Sequence, residues 1–228
     1  MKKLQYTTDK FINGNWIFKP IKDHSRFYIY YTNSKESTYN TINYSDIINI
    51  LNTSQLKKTY IETIKNYNTD LIKQSDIHGL SHIIRTSIFL LIISTIEKIK
   101  NNDFKLILES ILYHDIGRIN DIDDEYHGYN AIKKIDFLKE KYNKKDYNII
   151  CAIITGHCID DKYHNKVAEY FNIKNKIKYY KLLSLVKDAD ALDRVREYPY
   201  IDINFLRSNT TKTLVPFAYE FFYNYENN

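Results

Sequence analysis

Residues 82–100 read HIIRTSIFLLIISTIEKIK. Ile83, Ile84, Phe89, Leu90, Leu91, Ile93 and Ile96 place apolar groups nearly all round a helical wheel. A helix at a protein surface keeps one polar face, whereas a helix that is apolar on every side has to be enclosed by others. The stretch therefore predicts a central, buried helix. Its longest unbroken apolar run, residues 88–93, is far too short to span a bilayer.

The flanking segments carry helical periodicity as well. Helices are expected from Thr53 or Ser54 to Tyr67, from Asp103 through Leu112, over 128–142, 146–155 and 177–192, and over 214–225. None of the three prolines interrupts them, and no internal repeat is evident. The fold class expected is mainly α, a helical bundle. Residues 1–70 read differently. Asn13-Gly14 lies between the apolar pairs Phe11-Ile12 and Trp16-Ile17, a hairpin signal. Residues 27–32 form an aromatic, strand-like run, and 34–45 are polar and loop-like. The chain is thus expected to divide into an N-terminal arm with a small β-hairpin, 1–70, and a helical domain, 71–228. The aromatic groups of the arm need burial, over the mouth of a site or in a homo-oligomer.

Composition narrows the function. Of 228 residues, 43% are hydrophobic and 27% charged, an ordinary globular balance. A net charge of +5 suits anionic substrates. The lysines are scattered, however, and form no basic run, so no dedicated nucleic-acid surface is expected. Neither a signal peptide nor a membrane segment is apparent, and two cysteines make no disulfide framework. A cytoplasmic, reduced protein is the expectation. The motif order places a loop between Cys151 and Cys158.

The chemistry lies in the histidines. Five of the seven (His78, His82, His114, His127 and His157) stand within a few residues of Gly79, Gly117, Gly128 or Gly156, in a chain with only five glycines. Those glycines would serve a sharp turn, close approach to a ligand, or a helix end. His78, His82 and Arg85 share a helical face at spacings of four and three. His114-Asp115 can offer imidazole and carboxylate to one ion, and Gly117-Arg118 adds a cation beside them. In 187–196, KDADALDRVR, three carboxylates meet three cations among Ala189, Ala191 and Leu192. A carboxylate in so apolar a setting needs a metal or a cation, although for Asp188 and Arg196 a solvated, salt-bridged face is the simpler expectation. His24 and His164 lie outside every motif and read as surface residues. No Ser or Cys nucleophile signature, Walker loop or dinucleotide-binding glycine pattern is present.

In order, His78-x-x-x-His82-x-x-Arg85, Tyr113-His114-Asp115-Ile116-Gly117-Arg118, His127-Gly128-x-x-Ala131, His157 and Asp188-Ala189-Asp190-Ala191-Leu192-Asp193-Arg194 resemble the HD-domain superfamily of metal-dependent phosphohydrolases. The resemblance covers roughly residues 71–228. It implies that His82, His114, Asp115 and Asp190 hold one divalent metal and that Asp115 bridges to a second, completed by His127 and His157. Where the fullest sites of the family have a further His, this chain has Cys158. Imidazole and carboxylate suit Mn, Fe, Co, Ni or Zn without choosing among them. The implied activity is hydrolysis of a nucleotide or nucleotide-like phosphate ester by metal-hydroxide attack. Arg118 and Arg85 would stabilise charge on the phosphate. Arg194 would assist them or orient Asp190. Arg118 could instead pair with Asp121, Asp123 or Asp124 at the surface. His78 would be a substrate-side acid, a partner behind a ligand, or a helix-opening residue. Two alternatives accompany this reading: a non-catalytic HD-like module that senses a nucleotide, and a phosphodiesterase acting on ADP-ribosyl phosphodiesters.

Overall fold

The computed structural model describes residue 42 and residues 44–227, apart from 74, 76, 123 and 197–200. The expected hairpin and the strand-like run at 27–32 lie outside the described residues. Those residues are mainly helical and contain no strand. Eleven α-helices follow one another among them: α1 Tyr44–Thr53, α2 Lys57–Lys65, α3 Leu80–Ile96, α4 Asn101–Tyr113, α5 His127–Ile132, α6 Leu138–Lys141, α7 Lys144–His157, α8 His164–Tyr170, α9 Lys176–Leu192, α10 Asn209–Thr213 and α11 Val215–Asn227.

The expected central helix is α3. Every residue from His82 to Ser94 is buried, and the helix packs against α1, α4 and α9. Helix α4 in turn packs on α7, and α7 on α5 and α9. One apolar cluster runs through all of them, including Ile88, Phe89, Ile107, Ile111, Ile153 and Val186.

Several expectations change. The single helix expected at 128–142 is two, α5 and α6, separated by a turn at 133–137. A further helix, α1, precedes the one expected from Ser54 and begins within the segment read as loop. Neither Thr53 nor Ser54 is the N-cap of α2: that position is Leu56, with no side-chain cap, and Ser54 instead holds the turn before it, its Oγ accepting from the Leu56 amide at 3.1 Å. No loop separates the two cysteines: Cys151 lies within α7 and Cys158 caps its C-terminal end. Both are free thiols. Pro216 sits at the start of α11, where a missing N–H costs no helical bond.

The helices before residue 70 belong to the same core. Ile47, Leu51, Tyr60 and Ile64 are buried in it, and the Tyr60 hydroxyl bonds to Ser87 Oγ on α3 at 2.7 Å. Burying such a side chain contributes roughly 1.5–3 kcal/mol, so α1 and α2 together supply an amount comparable with the whole stability of a domain, about 5–15 kcal/mol. A chain starting at Leu71 should therefore be insoluble or lack the cooperative thermal transition of the full chain. Calorimetry of the two checks this, and a well-folded chain from Leu71 would contradict it.

Candidate metal centre

Five elements meet at one end of the bundle. His82 lies in the first turn of α3, His114 caps the end of α4, and Asp115 follows it. His127 opens α5, His157 closes α7, and Asp190 stands in the last turn of α9. Three helices, α4, α7 and α9, thus direct their carbonyl ends at the site. Those ends carry partial negative charge and favour a cation.

Glycines permit the approach. A Cβ on Gly117 would lie 1.9 Å from the His127 carbonyl oxygen, and one on Gly128 would lie 2.3 Å from that of Ile154. Neither glycine has the positive φ of a helix-ending turn. They serve the close crossing of α5 over the 115–118 turn and over α7, a contact between backbones that was not foreseen from the sequence.

The side chains form two imidazole pairs joined by one carboxylate. His82 Nε2 lies 3.2 Å from His114 Nε2, and His127 Nε2 lies 2.8 Å from His157 Nε2. Asp115 Oδ2 faces the first pair at 3.5 and 3.4 Å. Its Oδ1 faces the second at 3.1 and 3.7 Å. Asp190 Oδ1 adds to the first pair, 3.2 Å from His82 and 3.7 Å from His114. The imidazoles and Asp115 are buried, whereas Asp190 keeps 27% of its side-chain exposure and so marks the open side.

The outer nitrogens decide what the inner ones can do. Nδ1 of His114 faces the Ile111 carbonyl at 2.6 Å, and Nδ1 of His157 faces that of Ile154 at 2.5 Å. Nδ1 of His127 faces the Asp124 carbonyl. Nδ1 of His82 is 2.8 Å from Asp193 Oδ2. Carbonyls and carboxylates only accept, so each Nδ1 carries the proton and each neutral ring turns a lone pair inward. Lone pairs meeting at 2.8 and 3.2 Å, beside carboxylate oxygens, repel unless something positive lies between them. A proton can fill that place. Burial would depress His127, but its bonds to Asp115 and Cys158 reverse this and raise it to about 10. Opposite it, His157 is pushed down to about 4 by burial and by the charge of His127 and His114, against the pull of Asp115. Burial opposes charge on Asp115 also, yet the surrounding imidazoles hold its carboxyl well below the usual carboxylate range. The same donors fit a divalent metal, and the buried His and Asp groups could hold one.

Around this centre the structure revises several roles. Arg85, expected to stabilise charge on a phosphate, is engaged within the fold. It is buried, and its Nε and Nη2 donate to Asp193 at 2.6 and 2.9 Å. Asp193, not singled out from the sequence, thus ties Arg85 to His82 and fixes the His82 ring. The signal was available: Arg85 is the one charge in an otherwise uncharged first half of an all-apolar helix, and such a charge requires a partner. Asp188 and Arg196 are not on a solvated face. Asp188 is fully buried and accepts the Arg207 and Ser208 amides, each at 2.9 Å. Arg196 lies against Asp193, donating to its carbonyl at 3.0 Å. His164, expected at the surface, is buried beside Lys187. His24 lies outside the described residues. Arg194 is exposed, and among the described residues no hydrogen bond or ion pair joins it to Asp190.

Among the described residues Arg118 pairs with neither Asp121 nor Asp124, and Asp123 lies outside them. Its Nε donates to Asp115 Oδ1 at 2.8 Å, its Nη1 reaches the Ile122 carbonyl at 3.4 Å, and no described residue takes a hydrogen bond from its Nη2. His78 stands edge-on to His82, ring centroids 5.8 Å apart. Its Nδ1 is 3.0 Å from Asp121 Oδ1, which also accepts from Ser75 Oγ at 2.6 Å.

No protein-family model, curated protein or solved structure matches the chain. Among the described residues no helix is long and apolar enough to cross a membrane.

Proposed function

We propose that this protein is a metal-dependent phosphohydrolase of the HD-domain type, acting on a nucleotide or nucleotide-like phosphate ester. The observation that carries the reading is the pair of Nε2–Nε2 contacts, with every Nδ1 tied to an acceptor and Asp115 lending one oxygen to each pair. His82, His114, Asp115 and Asp190 would hold one divalent ion, and Asp115, His127 and His157 a second. Ions held there would supply Lewis-acid charge and an activated water for attack on phosphorus.

The chain's own groups then divide the remaining work. Asp190, on the open side, faces incoming substrate. Arg118 holds Asp115 through Nε and keeps Nη2 for a phosphate oxygen, the anion for which a guanidinium fork is shaped. His78, steadied by Asp121 and Ser75, stands beside the first imidazole pair, where a ring N–H can protonate a departing alkoxide. The basic net charge favours the approach of an anion.

Two measurements test the reading: metal analysis of the purified protein, and turnover of a panel of nucleotides and generic phosphodiesters. Bound transition metal with metal-dependent release of phosphate or a nucleoside monophosphate is expected. Tight nucleotide binding without turnover would favour a sensing module, and absence of both metal and turnover would remove the proposal. Within it, Arg118→Ala should retain metal while kcat/KM falls on the order of tenfold to a thousandfold, the range for loss of one transition-state donor. Unchanged kcat/KM would make Arg118 a brace for Asp115 alone.

A further inference from the structure

We infer that Cys158 is a thiolate ligand of the second metal position, making the two positions chemically unequal. The inference rests on the metal reading above. Cys158 caps α7 directly after His157, and its Sγ and one ring nitrogen each of His127 and His157 lie within 4.8 Å of one another. The first position gathers only nitrogen and oxygen, from His82, His114, Asp115 and Asp190. The second gathers the buried imidazoles of His127 and His157, one carboxylate oxygen and this sulfur.

The surroundings of the thiol suit that role. Helix α5 passes close over it because Gly128 has no side chain: a Cβ there would lie 3.0 Å from Sγ. Sγ faces two carbonyls, Glu125 at 3.3 Å and Thr155 at 3.7 Å, and the ring of His127. A thiol is a weak hydrogen-bond donor, so its bonds to the carbonyls are readily exchanged for an ion. Cys151, the other thiol, is a useful contrast. It is buried along α7, burial pushes it up to about 11, and it stands in no ligand cluster among the described residues.

A thiolate is a soft donor. It shifts a site from Mg, Ca and Mn toward Zn, Co and Fe, while an all-nitrogen-and-oxygen position remains permissive. The second position should therefore select a softer ion than the first. Its loading expels the thiol proton to solvent, since the ligand is the thiolate.

Cobalt(II) titration of the full chain reads this directly, because thiolate-to-cobalt charge transfer absorbs in the near ultraviolet and imidazole or carboxylate ligation does not. Two cobalt ions per chain with that band are expected. The band should be absent in Cys158→Ser and unchanged in Cys151→Ser. In Cys158→Ser the second ion should bind on the order of tenfold to a hundredfold more weakly, at least the loss seen when a ligand's support is removed, and the first should be unaffected. Cys158→His should restore tight binding of two ions without the band. Cobalt bound with no charge-transfer band in the natural protein would overturn the thiolate assignment and leave the metal centre standing. No cobalt bound at all would overturn both. If Cys158→Ser fails to fold, the band in the natural protein and its survival in Cys151→Ser still decide the matter.

Discussion

Replacing Asp115 by alanine should abolish both metal positions and reduce phosphohydrolysis by on the order of a thousandfold or more. Asp115 is the one group that faces both imidazole pairs, Oδ2 toward His82 and His114 and Oδ1 toward His127 and His157. Metal catalysis of phosphoryl transfer is worth several kcal/mol, and each 1.4 kcal/mol or so is tenfold in rate. Asp190→Ala removes a group that faces only the first pair, so it should deplete one ion and spare the second. Metal stoichiometry separates the variants: about two ions in the natural protein, one in Asp190→Ala, none in Asp115→Ala. Full metal in Asp115→Ala would break the bridging assignment. Acidity should mimic the mutations by competition. His127 is raised to about 10, so below that pH an ion has to displace its proton. Apparent metal affinity should accordingly rise with pH through the neutral range, by up to about tenfold per unit for each proton displaced.

The second large effect belongs to Asp193→Asn. Asp193 is completely buried and accepts from Arg85 Nε and Nη2 and from the His82 ring. Burial opposes its charge, but Arg85 and His82 hold its carboxyl below the ordinary value. Removing one partner of a buried pair leaves the other charge uncompensated, at about 3–5 kcal/mol, so Tm should fall on the order of 6–20 °C for a chain of this size. In the protein that remains folded, His82 loses the acceptor that fixes its tautomer, and the first metal should bind on the order of tenfold to a hundredfold more weakly. A double replacement, Arg85→Met with Asp193→Leu, divides the two roles. It should recover stability, because an apolar pair can substitute for a buried ion pair, yet leave metal affinity low. Recovery of both would show that Asp193 acts on the fold alone.

The candidate metal-site residues were legible partly because imidazole and carboxylate stand at helix ends with glycine beside them, while the full set of six followed from the resemblance to HD-domain phosphohydrolases. The structure brings all six expected ligands together. What supports them was less legible. Asp188 looked solvated because its partners, the amides of residues 207 and 208, lie 19 and 20 positions away and carry no sequence signal. The break between α5 and α6 was hidden for a related reason. Ala131, Ile135 and Leu138 are all buried and keep a near-helical spacing through the turn, and period alone cannot distinguish a helix from two short ones aimed at the same core. The loop after Arg118 exposes Ile119, Ile122 and Tyr126 beside the site, and nothing local distinguished those side chains from core.

The first and last residues of the candidate metal centre, His82 and Asp190, are more than a hundred positions apart, and the others come from separate helix ends between them. An unfolded chain would have to close long loops to gather them, each closure carrying an entropic penalty that grows with length. On the proposed reading an ion would not recruit these groups one by one. It would arrive after the helices have docked, and would then act as a cross-link joining the opening of α3 to the close of α9. Loading would be a maturation step that follows folding and then fastens it.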